Sequence, residues 1–236
     1  MKVLITGASY SELEPIIKQF VVAQDCPAEP GRLIHAGSVD FLVSGIGSVF
    51  TTLHLTRALL QTDYDLLIQA GICGSFEEEF APGDICQIIS ERFSDLGAED
   101  HDKFLDIFDM NLMDPDTAPF VDGFLLNPNQ FASPFIQAIP KAKAITVNTV
   151  HGNASSISKI KKRWHPHVES MEGAAFFLAS LYAGVPFLEI RSVSNYITPR
   201  NRSDWEIDVA IHELSLIIPE LISHFLSGDI SVNQFT

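Results

Sequence analysis

A single three-layer α/β domain with a mainly parallel or mixed sheet is the fold this chain predicts, and three observations predict it. Short apolar runs recur along the sequence and read as buried strands. Between them lie segments whose apolar residues fall on one helical face. Glycines punctuate the runs, as at Gly7, Gly45 and Gly71, and polar residues follow where ligand-contacting groups sit in open α/β sheets. No internal repeat or low-complexity linker interrupts the alternation, so residues 1–236 are expected to form one domain.

The first strand is expected over residues 3–6, ended by Gly7. Ser11 and Glu14 then have the S-x-x-E spacing of a capping box, ahead of an apolar face of Leu13, Ile16, Ile17 and Phe20. Pro15 would fall in the first turn of that helix, where proline is tolerated. A strand over 39–44 leads through Gly45-Ile-Gly47 into a helix over 48–60. Residues 65–69 read as a buried strand broken by Gly71 and Gly74, and the turn Gly83-Asp84 opens another over 85–89. Further strands are expected over 144–149 and 186–192, and helices over 156–163, 172–182 and 204–226. A second S-x-x-E pair, Ser203 and Glu206, would start the last helix. Residues 93–133 mix Asp, Asn and Pro with scattered hydrophobics, which predicts a long irregular segment.

Composition narrows the function. Hydrophobic residues make up 46% and charged residues 19%, enough for a substantial core. The net charge of −15 argues against binding to nucleic acid or to an anionic membrane. No apolar run reaches the length of a bilayer span, and no signal-peptide pattern precedes the first strand. Cys26, Cys73 and Cys86 lack disulfide-framework or metal spacing, so reduced thiols and a cytoplasmic location are expected. The eight histidines include no H-E-x-x-H pair, and neither a P-loop nor a G-x-S-x-G is present. No metal and no cofactor are expected.

The candidates for chemistry are polar groups at strand ends. Gly45-x-Gly47 fails as a dinucleotide fingerprint because Phe50 holds its sixth position; what remains is a glycine turn with free N–H groups. Glu12 lies beside the end of the first strand, either as a first-turn acid favoured by the helix dipole or as a general base. Glu172 opens an apolar helix, where its carboxylate needs donors that sugar hydroxyls would supply. Asn195 closes the run Arg191-Ser-Val-Ser, as a turn residue or as an amide facing a base. His151-Gly-Asn153 follows a strand and is either a loop or part of a cleft wall.

Taken in order, residues 3–12, Ser44-Gly-Ile-Gly47, Gln69-Ala-Gly-Ile-Cys-Gly74, Pro82-Gly-Asp84, 168–173 and 189–195 resemble the nucleoside phosphorylase/nucleosidase family. They span nearly the whole chain except 93–133. The resemblance implies a three-layer α/β/α sandwich with a mixed central sheet that is partly barrel-like, homo-oligomers, and a small-molecule nucleoside as substrate. By position it makes Glu12 the acid that activates water, and Met171 and Glu172 the pair that holds the ribose. Gly74 falls in the same family segment as a substrate-contacting position. Asn195 stands where adenine-cleaving members have an aspartate. A neutral amide offers both an acceptor and donors, which suits a 6-oxopurine better than adenine. The family's phosphorylases carry an arginine just before the G-x-C-G segment; Ile68-Gln69-Ala70 has none, which favours hydrolysis. Adenine-specific nucleosidases, phosphorylases and a non-catalytic nucleoside-binding module are the alternatives. Aromatic candidates for the purine face occur throughout 93–135, and the sequence singles out none of them.

Overall fold

The computed structural model describes residues 1–21, 29–228, 230 and 232–233. Cys26 lies outside them, while Cys73 and Cys86 are buried free thiols.

Among the described residues, fourteen strands and six α-helices follow one another. The first half contains β1 (Val3–Gly7), α1 (Tyr10–Ile17), β2 (Leu33–Ala36), β3 (Val39–Val43), α2 (Ser48–Gln61), β4 (Leu66–Ser75) and β5 (Ile85–Glu91). Short strands come next: β6 (Gly97–Asp100), β7 (Lys103–Asp106), β8 (Phe120–Val121), β9 (Phe124–Leu126) and β10 (Gln130–Phe131). The rest comprises α3 (Pro134–Gln137), β11 (Lys141–Thr146), α4 (Ala154–Trp164), β12 (Val168–Ser170), α5 (Gly173–Ala183), β13 (Phe187–Tyr196), α6 (Ile207–Ser227) and β14 (Val232–Asn233). The strands expected from apolar runs are present, except that β4 continues through Gly71 and Gly74, where a break was expected, and β11 ends at Thr146, three residues short of the expected end. The segment 93–133 instead folds into small hairpins, β6–β7 and β8–β9, too short for a period to show in sequence.

The main sheet runs β2-β3-β1-β4-β12-β11-β5-β9-β8, and β13 pairs with both β4 and β5. That double pairing closes β4, β12, β11, β5 and β13 into a ring. Parallel pairs such as β1–β4 and β13–β4 mix with antiparallel ones such as β12–β4 and β13–β5. On one face Leu13, Ile16 and Ile17 of α1 and Leu214, Ile218 and Phe225 of α6 pack against Val3, Ile5, Ile68 and Ile190. On the other, Leu55 of α2 and Phe176 and Phe177 of α5 meet Leu4, Leu67 and Phe187. Alternate strand residues therefore feed two cores, as the period of a strand requires.

β4 has a fork in it. Leu66–Gln69 pairs with β1, whereas Gly74 and Ser75 pair with β12 on the same edge of the strand, the edge opposite β13. Between the two partners the strand is released from its ladder, and this gap positions the site.

Three local expectations are corrected. The capping box of α1 is Ser9 with Glu12, not Ser11 with Glu14, so the helix starts earlier and Pro15 sits in its interior. At the other end, Arg202–Asp204 is a separate 3-10 turn, and α6 begins at Ile207 after Glu206 without a Ser203 cap. Finally, the helical stretch Arg202–Ser227 is long and apolar enough to cross a membrane by length and composition. Its Leu214, Ile218, Leu221 and Ile222 are spent on the core instead.

Candidate active site

Two carboxylates meet at the gap in β4, and each is fixed by backbone geometry. Glu12 belongs to the α1 cap: its Oε2 accepts from Ser9 N at 2.8 Å and Ser9 Oγ at 2.7 Å. Its Oε1 accepts from Ile72 N at 3.1 Å, a donor that the fork in β4 leaves free. Three of the roughly four lone-pair positions of this carboxylate are used, and it is buried at the mouth of the sheet.

Glu172 reaches the same place from the start of α5. Its Oε1 accepts from Gly47 N at 3.0 Å. Gly47 holds a φ of 88°, which a side chain would strain, so the glycine turn that failed as a dinucleotide motif presents its N–H to the protein's own acid. Glu172 Oε2 lies 3.4 Å from Arg191 Nη1. Burial raises the pKa of Glu172; Arg191 opposes this, and the Glu12 charge adds to it.

Arg191 joins these groups. Its Nε donates to Glu189 Oε1 at 2.7 Å, Nη1 to the Ile72 carbonyl at 3.2 Å, and Nη2 to Ser170 Oγ at 3.2 Å. Ile72 thus gives its N–H to Glu12 and its C=O to Arg191. Burial works against the guanidinium charge, but Glu189, Glu172 and Glu12 outweigh it and raise its pKa further. A Cβ on Gly71 would come within 2.5 Å of Arg191 Nη1 and 3.1 Å of Glu12 Oε1, so only glycine fits beneath the pair. In the sequence Arg191 stood only as the start of the run that Asn195 closes, without a role of its own. Glu189-x-Arg191 on a buried apolar strand, a charge pair on one face at strand period, was the available signal.

Further along β4, Gly74 pairs with Asn195 on one side and Glu169 on the other. Roughly 10 Å of strand separates Gly71 from Gly74. Asn195 lies within β13 rather than in a turn; its Oδ1 accepts from Ser194 Oγ at 2.8 Å and its Nδ2 donates to the Tyr196 carbonyl at 3.0 Å. A Cβ on Gly74 would approach Ile197 at 2.8 Å and Asn195 Nδ2 at 3.5 Å. Met171 is half-buried and its carbonyl accepts from Ser48 Oγ at 3.4 Å. His151 is no ordinary loop residue: its Nδ1 lies 2.5 Å from Glu169 Oε2, and its backbone N–H donates to Oε1 at 2.8 Å. A cleft of about 580 Å³ opens on the Glu12 side, lined by Ala8, Ser9, Gly45, Ile46 and Phe50.

Three of the aromatic candidates in residues 93–135 are engaged by arginines. Phe104, Phe108 and Phe124 turn toward Arg92 and Arg163, because those guanidiniums offer them cation–π contacts.

Residues 2–223 match the family model described as the phosphorylase superfamily. The chain belongs to that superfamily. Among its curated members, the futalosine hydrolase of Streptomyces coelicolor is 30% identical, over 94% of this chain and 95% of its own. That of Acidothermus cellulolyticus is 31% identical, over 91% of this chain and 87% of its own. A 5′-methylthioadenosine/S-adenosylhomocysteine nucleosidase from Shewanella halifaxensis is 27% identical, over 92% and 97%. Solved superfamily structures carry the same fold. The futalosine hydrolase of Helicobacter pylori superposes with a TM-score of 0.73 at 16% identity, covering 95% of this chain and 98% of that one. The methylthioadenosine/S-adenosylhomocysteine nucleosidase of the same organism, bound to butyl-thio-DADMe-Immucillin-A, gives 0.74 at 16% identity over the same shares, 95% and 98%.

Proposed function

We propose that this chain hydrolyses the N-glycosidic bond of futalosine, releasing hypoxanthine on the route to menaquinone. The observation that carries the reading is the Glu12 carboxylate, aimed by Ser9 and Ile72 into the gap of β4 beside a second buried acid. Such an acid, with one lone-pair position left, accepts a proton from water directed at an anomeric carbon. Glu172 keeps two positions after Gly47 and Arg191 are served, one for each of two ribose hydroxyls. These bonds strengthen as positive charge develops on the sugar, so they lower the barrier rather than merely bind.

Asn195 retains one acceptor position and one N–H, which match a protonated N7 and an oxygen at position 6. Adenine's amino group would meet a donor there, which counts against the methylthioadenosine reading carried by the more distant relative. Phosphate as nucleophile is disfavoured because Arg191 is already matched by Glu189 and Glu172. Met171 and Gly74 are assigned to substrate contact, Met171 on the ribose. The two buried free thiols suit a reducing cytoplasm.

The test is release of free base from futalosine, inosine and methylthioadenosine in phosphate-free buffer. Hypoxanthine from futalosine alone supports the assignment. Adenine from methylthioadenosine would overturn the role given to Asn195, and release that requires phosphate would make the protein a phosphorylase.

A further inference from the structure

The largest cavity described, about 930 Å³, lies away from the β4 gap, between the β6–β7 hairpin, the β8–β9 hairpin and α4. Its volume falls in the range of small-molecule sites. None of the residues lining it belongs to the Glu12–Arg191–Glu172 cluster.

Its walls are aromatic and its rim is cationic. Phe104, Phe108, Phe124 and the Trp164 indole supply flat apolar surface. The Arg92 and Arg163 guanidiniums lie 3.9 and 4.4 Å from the Trp164 ring centre, and Asp106 and Asp109 hold them there. Those two carboxylates are thereby occupied. Lys103, Lys159 and Lys162 at the rim are exposed and engage no carboxylate, which leaves the lining with five cations against the carboxylates of Asp102, Asp106, Asp109 and Asp122. A cation excess at one point of a chain carrying a net charge of −15 is a local concentration of the opposite sign. Lys159 and Lys162 stand three residues apart on α4, hence on one helix face. Nε of Arg92, Nε of Arg163 and Nε1 of Trp164 are buried donors without an acceptor. Buried donors of this kind usually have partners.

We infer that this cavity is a second ligand site, for a small aromatic acid: a planar ring seated against the aromatic wall, with its carboxylate at the lysine rim. A bare anion would use the rim but leave the wall empty. A neutral ring would use the wall but leave the lysines unanswered.

Calorimetric titration of the intact protein at low salt with 2-naphthoate, acetate and inorganic phosphate tests this. Saturable 2-naphthoate binding, with acetate and phosphate at least roughly tenfold weaker, is expected. The double variant Lys159→Glu/Lys162→Glu should weaken naphthoate roughly tenfold or more, with an unchanged melting temperature because both positions are exposed. Quenching of Trp164 fluorescence should track the heat and disappear in Trp164→Phe. Three results would each overturn the proposal: no saturable binding, equal binding of acetate, or naphthoate affinity indifferent to the charge reversal.

Discussion

Arg191 and Arg92 are both buried arginines, and their surroundings are opposite. Arg191 sits among Glu12, Glu172 and Glu189, and the pKa of Glu172 is raised there by burial, which the Arg191 charge opposes and the Glu12 charge assists. Arg92 shares Asp106 with a second guanidinium and is otherwise packed by rings. There, burial would raise the pKa of Asp106, but the N–H of Asp109 and the Arg92 charge outweigh it and lower the pKa. The first corner holds carboxylates in readiness to take protons or donors. The second holds cations in readiness to take an anion. The difference teaches that an arginine's role is set by the ratio of acids around it, not by its burial.

The largest effect that sharpens this comparison is expected at Glu12. Glu12→Gln keeps an acceptor for Ile72 N but loses the base and turns its NH₂ onto the Ser9 N–H, so base release from futalosine should fall roughly 10²–10⁴-fold, with a stability loss of only about 1–2 kcal/mol. Retention of more than a tenth of the rate would place the base elsewhere. Next comes Arg191→Met, which strands Glu189 and Glu172 and should cost about 3–5 kcal/mol in urea unfolding. Arg92→Met should cost less, about 1–3 kcal/mol, because Asp106 keeps Arg163 and the N–H groups of Phe108 and Asp109. Equal losses would erase the distinction between the corners.

Acid separates them by sign. Asp106 binds its proton more weakly folded than unfolded, so its contribution is present above pH 3.8 and is lost as pH falls through its lowered value. The stability gap between native protein and Asp106→Asn should therefore close at low pH. Glu91 behaves inversely. It is fully buried with Oε1 unpartnered, and burial followed by the Glu189 charge raises its pKa well above 4.5. Its folded form favours the proton, so stability declines as pH rises through the raised value. Glu91→Gln should be neutral at acid pH and stabilising by on the order of 1 kcal/mol above it, the smallest effect here. A gap for Glu91→Gln that widens toward acid would contradict the charge imbalance.

The two corners also differ in how legible they were. Glu12 and Asn195 stand at strands long enough to show as apolar runs and Glu172 opens an apolar helix, so their placement could be read in advance, whereas Met171 follows the three-residue β12 and was reached only through the family resemblance. Gly47 was legible as a turn but not as a donor to Glu172, because that bond joins chain segments 125 residues apart. The capping box was misplaced because Ser9-Tyr-Ser-Glu12 and Ser11-x-x-Glu14 satisfy the same pattern; the real one is chosen by Ile72, which only the folded sheet supplies. The Arg92 corner was invisible: strands of two to four residues have no period, and their aromatics answer to guanidiniums on β5 and α4.

The ring closed by β13 has a consequence for how the protein comes to exist. Glu12 meets Ile72 across 60 positions of sequence, Arg191 meets Ile72 across 119, and Gly47 meets Glu172 across 125. Only a contiguous fragment reaching from Glu12 to Arg191 contains all three pairs, and loop closure must be completed before any of them forms. A nascent chain therefore lacks the arginine that joins the two acids until β13 has been made and docked between β4 and β5.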